Sequence, residues 1–241
     1  MTRNENDGQA DAEAYWDGEF AEGRFLGLAP EPFVEDILTA ADSEGLLPGT
    51  GLYVGVGNGR NYLPLVAGGL DLLGLDISAV GLAELARRAP ERAGRLLHGS
   101  LDSLPGGATY PVVLGIQVFQ HGTRDQARGL LEAALHRVAP DGLFCVRVNA
   151  IGTDIVRDHD VIGEHDDGSR TVLYRPGGHR PDKVGLAVHF YSETELASLL
   201  AGCEPVLPIR LTRRERSPEQ GGTWAQWEAI VRVPAQTGDE R

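Results

Sequence analysis

Residues 52–76 read LYVGVGNGRNYLPLVAGGLDLLGLD, and the fold turns on how this stretch is parsed. Residues 52–56 are a short apolar run suited to a buried strand. Gly55, Gly57 and Gly59 then remove the Cβ at alternate positions, where that strand should pass into a helix. A second apolar run, 70–75, ends in Asp76. Glycines at a strand-to-helix turn let backbone approach a ligand closely, and an acid closing the next strand can accept the hydroxyl pair of a ribose. The pattern points to a nucleoside-cofactor site.

Working outward, the rest of the chain alternates short apolar runs with amphipathic segments. Pro30 and Pro32 bracket the start of a helix over 33–41, with Phe33, Ile37 and Leu38 on one face. Residues 60–67 should form a short helix containing Pro64, and 71–75 a second strand. Ser78 is placed to cap a helix over 79–89. Strands follow at 95–98 and 112–116. Thr123 and Gln126 have the spacing of a capping box for a helix over 124–138. A turn at 139–142 opens a fifth strand over 143–148. Ser192 and Glu195 repeat the capping-box spacing for a helix running to Leu200. Two extended runs, 205–213 and 223–233, flank a turn-rich segment and read as an antiparallel hairpin. The expected fold is α/β: a Rossmann-like, seven-stranded, mostly parallel sheet with helices on both faces and a C-terminal antiparallel hairpin.

Two regions break the rhythm. Residues up to about Glu13 are polar and expected to be mobile, after which Tyr15, Trp16, Phe20 and Phe25 concentrate aromatic surface. Residues 1–45 are therefore set apart as an N-terminal lid segment from a cofactor-binding domain over 46–241. An excursion at about 150–188 shows no long periodic stretch, as expected of a substrate-side insertion. Its His159, Asp160, Glu164, His165, Asp166 and Asp167 match no metal-site spacing and are read as a solvated acidic surface, with no metal expected.

Composition narrows the partners. The 241-residue chain carries 35 acidic and 22 basic residues, a formal charge of −13, which repels phosphate backbones and disfavours a nucleic-acid partner. No apolar run approaches membrane-spanning length, and the first residues lack the order of a signal peptide. Cys145 and Cys203 lie in apolar contexts suited to reduced thiols. A cytoplasmic enzyme, monomeric or homodimeric and acting on a small molecule, is the expectation.

The glycine spacing separates cofactors. A dinucleotide fingerprint wants G-x-G-x-x-G/A, whereas here the third glycine comes one position early and Arg60 fills the expected site. A phosphate-gripping loop would need G-K-[ST], which is missing. The strand, the G-x-G-x-G and the strand-ending acid together resemble motif I of the class I S-adenosylmethionine-dependent methyltransferases of small-molecule type. The likeness extends to Leu104-Pro105, to the run from Tyr110 to His121, to 137–142 beside the family's "RVLKPGG", and to the helix start from Tyr191 to Leu196. It covers about 50–233 and is strongest through 148.

The resemblance implies S-adenosyl-L-methionine as cofactor and methyl transfer to an O or N nucleophile. It places Gly55, Gly57 and Gly59 along the methionyl and ribose parts, Asp76 on the ribose hydroxyls and Ile77 on the adenine face. Ser100 and Leu101 stand where the family usually has an Asp at the adenine edge, with Asp102 the alternative. Pro111 replaces the usual strand-four Asp. Gln117 should offer its carbonyl to the cofactor amine, and Arg24 or Arg60 could meet its carboxylate. His121 is either a general base or a packing residue at the helix entrance; His189 and Tyr191 are further catalytic or acceptor-lining candidates. Tyr15 and Trp16 are candidate lid residues over the acceptor. Two rival readings stay open: a nucleotide-cofactor oxidoreductase, and a non-catalytic protein that binds S-adenosylmethionine.

Overall fold

The structure is a computed structural model describing residues 5–47, 49–175, 186–219 and 221–235. A seven-stranded sheet runs in the order β3-β2-β1-β4-β5-β10-β9. Its members are β1 Thr50–Val54, β2 Asp71–Asp76, β3 Leu96–His98, β4 Tyr110–Ile116, β5 Val138–Asn149, β9 Glu204–Glu215 and β10 Thr223–Arg232. The first five strands are parallel; β10 is antiparallel to both β5 and β9. The expected sheet and closing hairpin are both present.

Period-two alternation divides the core between two faces. Leu52, Val54, Val113, Phe144 and Val146 point to one side, against Ala127 and Leu131 of α5 (Arg124–Leu135) and Leu196 and Leu199 of α6 (Glu193–Leu199). Tyr53, Val112, Leu114, Leu143 and Cys145 point to the other. There they meet Phe33 and Ile37 of α2 (Phe33–Ser43), Tyr62 and Leu65 of α3 (Tyr62–Ala67), and Leu82 and Leu85 of α4 (Ala79–Arg88).

Pro111 costs the sheet no ladder bond because the register shifts there: Tyr110 pairs with Val138, but Val112 pairs with Leu143. The intervening 139–142 segment bulges out of β5 with Asp141 at φ 60°, and its ends are held by Val233. The expected turn is thus a bulge inside one long strand.

Three readings need correction. The N-terminal helix α1 spans Glu5–Ala21, so order begins well before Glu13. Its anchor is tertiary: the Asp17 carboxylate accepts from the Ser78 hydroxyl at 2.6 Å and the Val80 amide at 3.1 Å at the start of α4. Second, the excursion is structured over most of its described length. β6 His159–Glu164, β7 Arg170–Tyr174 and β8 Ala187–Phe190 form a separate antiparallel sheet, joined to the main body by bridges His121–Val188 and Ala150–Tyr191. Among the described residues its buried core is Val172, Val188 and Phe190, with Ile151, Ile155 and Tyr174 packed against them, too small a set for the alternation to be read in the sequence. Residues 176–185 of the excursion lie outside the described residues. Third, α5 ends at Leu135 because Val138 already belongs to β5. Among the described residues, no helix is long and apolar enough to cross a membrane.

Candidate active site

The C-terminal ends of β1, β2 and β4 converge on the glycine loop. Gly55, Gly57 and Gly59 have φ of 72°, 55° and 87°, the left-handed region that only glycine enters without strain. The space beside them is also filled: an added Cβ would meet Val118 at 2.5 Å, the Phe20 ring at 2.9 Å and Leu85 at 2.4 Å, respectively. The glycines therefore serve backbone geometry and close packing together, with Phe20 of α1 lying across the middle of the loop.

Asp76 closes β2 beneath that loop and is 8% exposed. One carboxylate oxygen accepts the Gly57 amide at 2.6 Å and the other the Ser78 amide at 2.8 Å. Burial pushes its pKa above the ordinary carboxylate range, and the Ser78 and Gly57 amides hold it back. Among the described residues no arginine or lysine pairs with it. A carboxylate offers about four acceptor positions, so two remain for hydroxyl donors. This is the chemistry a ribose diol requires, and with the three bare backbone positions the set fits an adenosyl group.

Around Asp76 the remaining cofactor candidates gather. Ile77 is half-buried, its carbonyl bonded to His98 Nε2 at 2.9 Å. Gly99 donates its amide to the Asp76 carbonyl at 2.8 Å, which brings Ser100 and buried Leu101 beside the strand end. Asp102 is exposed.

Gln117 is a non-glycine residue at φ 62°, a strained conformation that the sequence does not announce. Its amide donates to the Arg147 carbonyl at 2.8 Å, while its own carbonyl lies 3.2 Å from His121 Nε2. A carbonyl only accepts, so Nε2 carries the imidazole proton and Nδ1 is left with its lone pair. Among the described residues buried Nδ1 has no hydrogen-bond partner, and Trp16 packs against the ring in a T-shaped arrangement at 5.1 Å between centroids. Burial lowers the His121 pKa to about 4, so the ring is neutral near pH 7. Tyr15 continues the aromatic run, 5.4 Å from Trp16.

The structure buries two candidates away from any ligand and gives partners to two more. His189 does not project into a pocket mouth: it is fully buried, with Nδ1 2.9 Å from the Thr171 hydroxyl and Nε2 2.8 Å from Glu195. Tyr191 is equally buried and donates its hydroxyl to the Phe119 carbonyl at 2.6 Å. Arg60 pairs with Glu31 at 2.8 Å and donates to the Ala29 carbonyl at 2.6 Å. Arg24 pairs with Glu19 at 2.9 Å. For His189 and Tyr191 the groups a ligand would use already have partners in the chain, whereas Arg24 and Arg60 have committed only part of their guanidinium donors.

Sequence reasoning missed the network behind His189. Glu195 accepts Arg124 at 2.6 Å and Arg128 at 3.2 Å as well as His189. Burial alone would raise its pKa, but the His189 and Arg124 hydrogen bonds outweigh it and hold the carboxyl at about 2. Ser192 accepts the Glu195 amide at 3.0 Å, so half of the expected capping box forms, while the Glu195 side chain turns inward. Among the described residues no group of three or more His, Cys, Asp and Glu side chains converges as a metal site would.

Residues 52–142 match the family described as "Methyltransferase domain". No curated protein matches the sequence. Among solved structures, the chain is similar to 1,6-didemethyltoxoflavin-N1-methyltransferase of Burkholderia thailandensis, determined with 1,6-didemethyltoxoflavin and S-adenosylhomocysteine. The identity is 20%, the TM-score 0.66, and the match covers 97% of this chain and 92% of that one. It is similar also to the N-methyltransferase NodS of Bradyrhizobium japonicum, bound to S-adenosylhomocysteine, at 14% identity and TM-score 0.56, covering 93% and 99%. A third is an amino pentose methyltransferase of calicheamicin biosynthesis from Micromonospora echinaspora, bound to S-adenosylmethionine, at 18% identity and TM-score 0.54, covering 90% and 96%.

Proposed function

We propose that this protein is a class I S-adenosylmethionine-dependent methyltransferase whose acceptor is an O or N nucleophile on a small molecule: residues 52–142 match a methyltransferase-domain family, and the chain shares its fold with such enzymes. The observation that carries the cofactor assignment is the Asp76 carboxylate, fixed by the Gly57 and Ser78 amides with acceptor capacity to spare. Small-molecule specificity is supported by the named acceptors of two of the similar structures, 1,6-didemethyltoxoflavin and an amino pentose, and by the acidic balance of the chain.

When bound, S-adenosylmethionine supplies a methyl group already electrophilic on its sulfonium. The chain's own work is then alignment and proton removal. Asp76 would receive the ribose hydroxyls, the backbone at Gly55, Gly57 and Gly59 would follow the ribose and methionyl parts, and Ile77, Ser100 and Leu101 would frame the adenine. The Gln117 carbonyl would accept from the amine. Tyr15 and Trp16 exclude water above the acceptor. His121 takes the acceptor proton at Nδ1, the nitrogen that has no partner. Residues 1–45 act as the lid and the excursion as the acceptor wall of a cytoplasmic enzyme, monomeric or homodimeric.

Labelled-methyl transfer from S-adenosylmethionine into a metabolite library, read by mass spectrometry, tests the proposal. A labelled O- or N-methyl product is expected. Cofactor binding with no labelled product from the library would favour a non-catalytic binding protein, and tighter binding of NAD(H) than of S-adenosylmethionine would favour the oxidoreductase reading.

A further inference from the structure

Many arginines of this acidic chain are matched by carboxylates: Arg60 by Glu31, Arg147 by Glu31 and Glu228, Arg124 by Glu195 and Asp167. Arg157 and Arg216 belong to those that are not, and among the described residues they are the two of that group that lie over aromatic rings. The Arg157 guanidinium lies over the Tyr174 ring at 4.6 Å, and that of Arg216 over the Trp224 ring at 5.6 Å. Arg216 also donates to the Asp154 carbonyl at 2.5 Å. Among the described residues neither has a carboxylate within ion-pair distance. The nearby acids are otherwise engaged: Asp154 accepts the Thr223 amide at 2.8 Å, and Asp160 pairs with Arg175.

Arg216 bonds the carbonyl of Asp154, in the segment that leads directly to Arg157, which brings the two guanidiniums to one region. Tyr174 lies within electrostatic reach of both Arg157 and Arg216, and of Tyr15 on α1. Tyr15 is edge-on to Trp16, which packs on His121. From the opposite side, Trp224 Nε1 donates to Asn149 Oδ1 at 3.0 Å, and the Asn149 amide donates to the Gln120 side chain at 2.9 Å, next to His121. The cations therefore sit at the acceptor end of the proposed site, mounted on aromatic faces that fix their planes. A guanidinium held over a ring can still aim edge donors at a planar oxyanion, and Arg216 has committed Nη1 alone, to the Asp154 carbonyl.

We propose that the acceptor carries an oxyanion, a carboxylate or phosphate, received by Arg157 and Arg216 while its nucleophile faces His121. This deepens the methyltransferase reading and rests on it for the identity of the acceptor.

The test is equilibrium binding of matched probes, 4-hydroxybenzoate against 4-hydroxybenzamide and phenyl phosphate against benzyl alcohol, by calorimetry with and without saturating S-adenosylhomocysteine. The anionic member of each pair should bind at least about tenfold more tightly, the range of a charge-assisted hydrogen bond. Arg157→Gln and Arg216→Gln should each remove most of that preference, Arg157→Lys should retain part of it, and Arg87→Gln, on exposed α4, should change nothing. S-adenosylhomocysteine affinity should be the same in all variants. Equal affinity within the pairs, no binding by either anion, or a preference that survives the double Arg157→Gln, Arg216→Gln change would overturn the inference. Failure of the wild type to bind S-adenosylhomocysteine would instead sink the cofactor reading, and the anion titrations without it would still be read.

Discussion

At His121 one hydrogen bond decides the chemistry. With Nε2–H committed to the Gln117 carbonyl, only Nδ1 can take a proton, and burial sets the pKa near 4. The folded value lies below the ordinary 6.5, so the unfolded chain binds this proton first. Stability from this group is intact above about pH 6.5 and declines as pH falls toward 4. If Nδ1 is the base, the acid limb of kcat should titrate near 4, and an inflection at 6.5 would contradict the buried geometry. His121→Ala should lower kcat about 100-fold while leaving S-adenosylhomocysteine affinity unchanged. Full turnover across the pH range would return His121 to a packing role. Gly59→Ala should destabilise by about 1–3 kcal/mol, because φ is 87° and the new methyl meets Leu85; thermal melting reads the loss. The glycines and Asp76 were legible because glycine at alternate positions and an acid ending an apolar run stand out in any chain. The left-handed Gln117 was not, since its strain comes from tertiary position.

At the scale of elements, local signals were read correctly wherever local chemistry rules. Thr123 accepts the Gln126 amide while Gln126 returns to the Thr123 amide at 2.9 Å, a complete capping box. The same spacing at Ser192 and Glu195 gives only half a box, because a buried histidine and two arginines outcompete a backbone amide for the carboxylate. Glu195→Gln should therefore destabilise the fold by about 2 kcal/mol, more than losing a cap, as it removes the buried charge shared by His189 and two half-buried arginines. A melting temperature within a degree or two of the wild type would contradict this. The carboxyl is held at about 2, below its unfolded value, so its contribution is present above about pH 4.5 and lost as pH falls toward 2. Helix α1 and the β6–β8 sheet were illegible for a shared reason: their order comes from docking, through Asp17 on α4 and the bridges at His121 and Ala150, rather than from their own periodicity.

Across the whole molecule, the sheet order follows from the alternation of strands and helices, and the closing β9–β10 pair needs only the turn between two extended runs. The two elements the sequence left vague, α1 and the small sheet, are the ones that flank the glycine loop and the arginine pair. Phe20 packs directly on Gly57, so cofactor binding must be coupled to the position of α1. Hydrogen exchange should show α1 and the 55–59 loop changing protection together on adding S-adenosylhomocysteine; protection of the loop with α1 unaffected would uncouple them. The central claim is nearer still: a nucleoside sugar rests on Asp76. Calorimetric titration of S-adenosylhomocysteine into the wild type and Asp76→Ala tests it most directly. The account predicts binding to the wild type and a loss of about 10- to 100-fold in the variant, the worth of one or two hydrogen bonds to a charged group. Equal affinity in the two proteins would contradict it.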